Sequence, residues 1–559
     1  MNAGEPGPIG PQVDRFPDHG DRLRDPSELA EILGDWMSGP GPLYRKLAEA
    51  LRRAVHDGSL DPGERLLSER ALAKALVVSR ATVVAAYDEL RGLGIVDSRR
   101  GSGTRVVRQP GSSRPGADGR VPGGRATSII QRLIDGPVSE ARPLKAGGWG
   151  LEDGPSSGAR PLDGGGWGLE DGPSSGARPL DGGGWGLEDG PAGVISLRHA
   201  MEGAVPELGV ELAALLAEDL PVLMRDIGYH PSGLPALREA AAARLTAAGL
   251  PTASENVLVT TGVTQALALA AQMYLRRRSI VVVESPGWPG CFDVFRAAGA
   301  RLVGVPLDGD GIRVDELARA FAEHRPDLLY VMPTVHNPTG ALMSEGRRRR
   351  VAEIAAEHRV PILEDNAYDI GGASRPPPIA AYAPKGAEVL SADSLAKSVW
   401  GGLRIGWVRA PAGTIERLAR HKAMADLGSP VLDQALAARL LPRLPEITAA
   451  RGAVLRDRLD HLTALLAEHL PEWRFQPPAG GSALWIELPG RDARAFAQVA
   501  LRHGVEVVPG ATMDPSGAHD GYLRLPYTFP ADVLTEVAAR LTAAWTELTD
   551  RSAIQHFDP

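Results

Sequence analysis

Between residues 109 and 193 the chain carries 23 Gly and 10 Pro in 85 positions. A packed core cannot run through such a stretch, because ordering Gly costs the most backbone entropy and Pro removes a hydrogen-bond donor. The segment therefore splits the 559-residue chain into separately folding parts. Within it an 18-residue unit recurs: ARPLKAGGWGLEDGPSSG from 141, ARPLDGGGWGLEDGPSSG from 159 and ARPLDGGGWGLEDGPAG from 177, with Trp149, Trp167 and Trp185 at equivalent positions. One Trp and two Leu per unit bury too little apolar surface to offset ordering, so the repeats read as a duplicated flexible spacer, with a weak docking motif as the alternative. As a Gly-rich coil its ends would lie on the order of 50 Å apart. The expected layout is a flexible N-terminal segment with room for a short helix (1–40), a first folded unit (41–108), the linker (109–194), a large unit (195–548) and a tail (549–559).

A single cysteine, Cys291, excludes an internal disulfide framework and any multi-cysteine zinc site, and suits a small buried hydrophobe. The opening MNAGEPGPIGPQVDRFPDHG has neither the basic start nor the apolar run of a signal peptide, and no apolar stretch approaches about 18 residues. A cytoplasmic protein without a membrane partner is expected. Of 61 Lys plus Arg only six are lysine, at 46, 74, 145, 385, 397 and 422, so lysine chemistry has few candidates. The net charge is -8, yet residues 41–108 hold 13 basic against 8 acidic side chains. Opposite local charge suggests separate partners.

In that basic unit Leu43, Leu47, Leu51 and Val55 recur every four residues and predict a helix with one apolar stripe. Ser68 opens a second helix containing Leu72, Ala75 and Leu76, and Val77 and Val78 make a short turn. Ser79 is a good N-cap for a third, with Val83, Ala86, Tyr87 and Leu90 inward. IVDSRRGSGTRVV then alternates about a Gly-Ser-Gly turn, as a two-stranded wing does. Three helices and a wing, locally basic, suit the reading of double-stranded DNA. The stretch GERLLSERALAKALVVSRATVVAAYDELRGLGIVDSRRGSGTRV resembles the winged helix-turn-helix of GntR-type bacterial regulators, with Leu67 where Pro is common and Val77 where Gly is common. The resemblance places Arg65, Ser68 and Arg70 near phosphate, Ser79, Arg80 and Thr82 on bases or adjacent phosphates, and Gly101, Ser102, Gly103 and Thr104 at the wing tip.

From Ile195 onward apolar runs (VLVTTG, SIVVVESP, LLYVMP, VPILED, EVLSAD) alternate with helical stretches, which predicts an α/β unit with a mostly parallel sheet and ligands at the strands' C-terminal ends. GSALWIELPG and GYLRLPYTF suggest a smaller α+β lobe at the end. Several residues at these strand ends make sense together as a pyridoxal phosphate (PLP) site. Lys397 in SADSLAKSVWGGLRIGW offers a Schiff-base amine, with Ser394 and Arg404 spaced to meet a phosphate beside it. Asp365 in PILEDNAYDI fits the partner of a pyridine nitrogen, and Tyr368 and Asn337 (HNPTG) fit the ring hydroxyl. In LVTTGVTQALALA a strand turns into a helix at Gly262, Val263 and Thr264, a natural phosphate nest. Trp288 in ESPGWPG offers a flat stacking face, and Arg524 in YLRLPYT a clamp for a substrate carboxylate. These stretches in this order, together with GYHPSGLPALREAAAARL at 228–245, resemble fold-type I aminotransferases across 195–548. Ala396 replaces a Ser often found beside the Schiff-base lysine, and Trp288 stands where Tyr is frequent.

Behind a GntR-type winged helix, this arrangement resembles the MocR-like subfamily of regulators. The resemblance implies a homodimer with aminotransferase-like domains paired head to tail and the site near the interface. The expectation is a PLP-dependent, DNA-binding regulator that senses an amine, an amino acid or PLP itself through aldimine exchange at Lys397, with operator DNA as its partner. The alternative is an active aminotransferase carrying a DNA-binding appendage.

Overall fold

The computed structural model describes residues 29, 32–33, 36–37, 41–56, 60, 63–99, 103–107, 193–368, 370 and 375–555. The repeats, Gly101 and Ser102 lie outside the described residues.

The first unit contains helices α1 (Leu43–His56), α2 (Glu69–Leu76) and α3 (Arg80–Gly92), followed by antiparallel strands β1 (Val96–Arg99) and β2 (Gly103–Val106). Both expected caps are made: Ser68 Oγ accepts from the Ala71 amide at 3.2 Å and Ser79 Oγ from the Thr82 amide at 3.1 Å. Each removes one unpaired donor from a helix start. Val83, Ala86, Tyr87 and Leu90 face inward, and the Tyr87 hydroxyl donates to the Leu67 carbonyl at 2.9 Å. The α1 stripe is buried at Leu47 and Leu51, whereas Leu43 is 40% exposed. The core also takes in Leu29, Leu33 and Trp36, upstream of the expected start at 41. Val77, closing α2, adopts φ 53 and ψ 43. A left-handed conformation costs a residue with a Cβ roughly 1–2 kcal/mol, so this turn carries strain that a glycine would avoid.

The large unit is built on an eight-stranded sheet with the spatial order Val257–Thr260, Gly406–Arg409, Val389–Ser394, Ile362–Asp365, Leu328–Val331, Ile280–Ser285, Arg301–Asp308, Gly311–Ile312. Gly406–Arg409 runs antiparallel to both its neighbours and Gly311–Ile312 closes an edge hairpin; the remaining pairs are parallel. Strands Val257–Thr260, Ile280–Ser285, Leu328–Val331, Ile362–Asp365 and Val389–Ser394, the five expected from their apolar runs, thus end along one edge. Buried on both faces, their central residues form continuous apolar runs rather than alternating ones. Cys291 lies in this core, fully buried, with its thiol against the Trp288 carbonyl at 3.0 Å.

The smaller lobe pairs strands in the order Arg474–Phe475, Ala483–Glu487, Tyr522–Pro526, Val508–Pro509, with helices Leu444–His469, Ala493–Arg502 and Ala531–Gln555 packed on it. A separate parallel pair joins Val505–Glu506 to Ile195–Ser196, so the start of the large unit is tied into the small lobe. Among the described residues no helix is long and apolar enough to cross a membrane.

Candidate cofactor site

The strand ends bring the expected residues together. Lys397 lies three residues beyond Val389–Ser394, and its Nζ stands 5.1 Å from the centroid of the Tyr368 ring. Burial alone would push the Tyr368 phenol up, but the charges of Lys397 and Arg524 and hydrogen bonds with Ser482 and Lys397 outweigh it and hold the phenol below its ordinary value. Asn337 Nδ2 donates to the same hydroxyl at 3.5 Å. Asn337, Tyr368, Gly481 and Ser482 line one cleft.

Asp365 is 2% exposed at the end of its strand. It accepts from the Ala367 amide at 3.0 Å and from the Tyr330 hydroxyl at 2.8 Å. Burial raises its pKa against the pull of those two donors and of Lys397. A buried carboxyl in this state gains from any cation brought to it.

Opposite, Gly262 caps helix Val263–Tyr274 at φ 118 with no side chain on the helix start. A Cβ built on Gly262 would stand 3.5 Å from Arg404 Nη2 and 3.7 Å from Ser394 Oγ. Guanidinium, hydroxyl and helix N-terminus therefore converge on the space a side chain would fill, as anion sites do. Thr264, in the first turn, is exposed. Arg404 itself holds a left-handed φ of 52. Trp288 caps helix Pro289–Ala297 and packs on the sheet core; a Cβ on Gly290 would come 2.3 Å from its indole, so the glycine makes room for the ring.

Arg524 lies on the small-lobe strand Tyr522–Pro526 and is 6% exposed. Its Nη1 donates to the Arg198 carbonyl at 3.3 Å, while its buried Nε has no partner. Burial lowers its pKa, and the negative charge the Tyr368 oxygen can carry opposes the shift. An incompletely paired guanidinium in a dry place is a receptor for an anion.

Reading the sequence alone missed part of the site. Glu284 and His336 face each other at 3.5 Å, both buried, with Glu284 also accepting from the Met332 amide at 2.7 Å. This contact ties the loop that carries Trp288 to the loop that carries Asn337. His199 is an exposed residue that partial desolvation first, then the charges of Arg198, Arg524 and Lys397, keep below its ordinary pKa against the pull of Glu506. Glu284 and His336 sit inside the runs ESPGWPG and HNPTG, but nothing local marks their mutual contact, and His199 belongs to no local pattern.

On the winged helix, Ser68, Arg70, Ser79 and Arg80 are exposed. Two expected contacts have structural duties as well: Ser79 shares a 2.9 Å hydrogen bond with Thr82, and Arg80 pairs with Glu69 at 3.0 Å. Arg65 bridges to Arg105 across the base of the wing, and Gly103, at φ 80, leaves room for its guanidinium. Thr104 lies in β2.

The sequence pattern of class I and II aminotransferases matches residues 225–541, more than half the chain, and that of gntR-family bacterial regulatory proteins matches 43–106. The chain belongs to the GntR-type, MocR-like family. The HTH-type transcriptional regulator YisV of Bacillus subtilis is 30% identical over 522 residues, covering 90% of this chain and 96% of that protein. The 2-aminoadipate transaminase of Thermus thermophilus is 32% identical over 298 residues, 52% of this chain and 75% of that protein. Among solved structures, the α-aminoadipate aminotransferase LysN of Thermus thermophilus superposes with a TM-score of 0.57 at 30% identity, covering 64% of this chain and 93% of that one. The multiple substrate aminotransferase of Thermococcus profundus gives 0.59 at 27%, covering 64% and 92%. The match to YisV covers 90% of this MocR-like chain, whereas that to the 2-aminoadipate transaminase covers 52%.

Proposed function

We propose that this protein is a PLP-dependent transcriptional regulator in which a small amine or amino acid, taking the place of the Lys397 amine on the cofactor, changes how the winged helix engages operator DNA. The observation that carries the reading is the convergence of Arg404, Ser394 and an open helix start on the Cβ-less side of Gly262, on the same sheet edge as Lys397. PLP fits these residues. Its phosphate suits that cradle, with Val263 and Thr264 supplying the first turn. Its pyridinium would give buried Asp365 a closer cationic partner, and its ring hydroxyl suits Asn337 and Tyr368. When bound, PLP supplies an electrophilic carbon for amines and an electron sink for the bond next to the nitrogen.

The protein's own residues have defined tasks. Tyr368, held below its usual pKa beside Lys397, can hydrogen-bond the Lys397 nitrogen, and that nitrogen is the nucleophile the site offers. Trp288 shields one face of the site, and Arg524 orients a ligand through its carboxylate.

A homodimer with head-to-tail aminotransferase-like domains is part of the proposal. Large apolar side chains stand exposed along the segment that begins with helix Pro206–Glu218: Val210, Val222, Met224 and Ile227, the last at 83%, with Leu427 and Met424 exposed elsewhere on the same unit. Patches of this kind mark interaction surfaces. Ile227→Asp is expected to shift sedimentation toward the monomer.

The experiment for the central reading is operator binding by the PLP-loaded chain with and without amines. Binding that ignores every amine and PLP itself defeats it. The second reading, a working aminotransferase, draws on Lys397 acting on both Asp365 and Tyr368, with Arg524 also acting on Tyr368. Repeated cycling between an amino acid and a keto acid would establish it.

A further inference from the structure

The small-lobe helix Ala493–Arg502 has ten residues, and none of them is exposed. Its inner side packs on Leu534, Val537 and Leu541 through Phe496 and Val499, which belong to one core. Against it also stands α2 of the winged helix. Val77, at the end of α2, packs on that same small-lobe core, whereas its neighbour Val78 packs into the winged helix's own core.

Val77 and Val335 are the two β-branched residues at positive φ among the described residues, and Val335 lines the cofactor cleft. A position with φ 53 suits Gly or Asn, so a valine there is accounted for by what its side chain touches, and that contact lies outside its own domain. Arg70, Lys74 and Arg80 stay exposed in this arrangement. The face expected on DNA is therefore left open by the contact.

Helix Ala493–Arg502 is followed by strand Val505–Glu506, which pairs with Ile195–Ser196. Two residues on, Arg198 places its guanidinium on Glu506 at 2.6 Å and its carbonyl under Arg524 Nη1 at 3.3 Å. The helix that receives Val77 and the arginine aimed into the cleft are thus joined by one short path. A Gly-rich linker of some 85 residues transmits no orientation by itself. A direct contact does.

We propose that the Val77 turn is a docking knob that seats the chain's own winged helix on the small-lobe helix Ala493–Arg502, so that a shift of the lobe when Arg524 takes a carboxylate reorients the DNA-reading helix; the transmission half rests on the regulator reading above. The test compares the full-length, PLP-loaded protein with Val77→Gly and Val77→Asp. Glycine suits the turn's backbone, so Val77→Gly keeps the winged helix folded, which its melting curve checks. Both variants are expected to raise amide hydrogen exchange across 493–502 several-fold and to enlarge the radius of gyration in small-angle scattering. The amino-acid-induced change in operator affinity should fall toward none, while the cofactor's absorbance still titrates as in wild type. Unchanged exchange in both variants overturns the docking. Raised exchange with an undiminished operator response overturns the transmission. Protection at 493–502 that disappears on dilution would seat a second copy's winged helix there and overturn the in-chain contact. A wild-type protein whose operator binding ignores every amine defeats the regulator reading instead, while the exchange result still decides the docking.

Discussion

Arg524 keeps a charge where water is excluded, with an Nε that no protein group satisfies. Hydrogen bonds to charged groups are worth about 1.5–3 kcal/mol, so Arg524→Gln should weaken carboxylate-bearing effectors by roughly 10- to 100-fold and leave simple amines unaffected, read from the cofactor's absorbance. Beneath the cleft, burial pushes the Glu284 carboxyl up to about 8 from 4.5 and the His336 imidazole down to about 3 from 6.5. Between 4.5 and 8 the folded protein holds a proton on Glu284 that the unfolded chain releases, so this contribution is present below 4.5 and is lost as pH rises through 8. The His336 contribution is present above 6.5 and is lost as pH falls through 3. Glu284→Gln should therefore flatten the decline of the melting temperature between pH 4.5 and 8, and a decline identical to wild type would count against a protonated Glu284. Lys397 was legible in the sequence because six lysines left few choices and its neighbours Ser394 and Arg404 are local. Glu284 was not, because a glutamate closing an apolar run looks the same whether it meets solvent or a buried histidine.

At the level of elements, the three winged-helix helices were legible because their starts are chemical: Ser68 and Ser79 accept the amides their positions predict. Losing such a cap costs about 1 kcal/mol. Ser79→Ala should lower the melting point of the winged helix and its affinity for DNA together, whereas Glu69→Ala, which frees exposed Arg80 from a surface pair, should cost under about 1 kcal/mol. Differential scanning calorimetry separates the two. In the large unit the five apolar runs all became strands, since apolar residues in a sheet covered on both faces need no alternation. Arg301–Asp308 and Gly406–Arg409 escaped notice for physical reasons: the first leaves most of its side chains partly or fully exposed, and the second is four residues long and begins with a glycine. That glycine matters. A Cβ on Gly406 would come 2.8 Å from Gly262 Cα and 2.5 Å from the Asp393 carbonyl, so Gly406→Ala should displace the phosphate loop and weaken PLP binding, measured by cofactor retention on dialysis.

At the scale of the whole molecule, the Gly-rich linker foretold two folded modules but not their contact. Long-range docking leaves no periodicity. Its one trace was Val77 standing where glycine is common, which the structure shows at a left-handed φ and packed on the other module. In the proposed regulator, occupancy of the cleft and operator affinity are coupled in one chain. The most direct measurement titrates the PLP-loaded, full-length protein with a panel of amines and amino acids, following cofactor absorbance and operator binding in the same samples. At least one compound is expected to shift both signals with the same midpoint, and both shifts are expected to be lost in Lys397→Ala. Compounds that saturate the absorbance change while operator affinity stays constant would contradict that coupling.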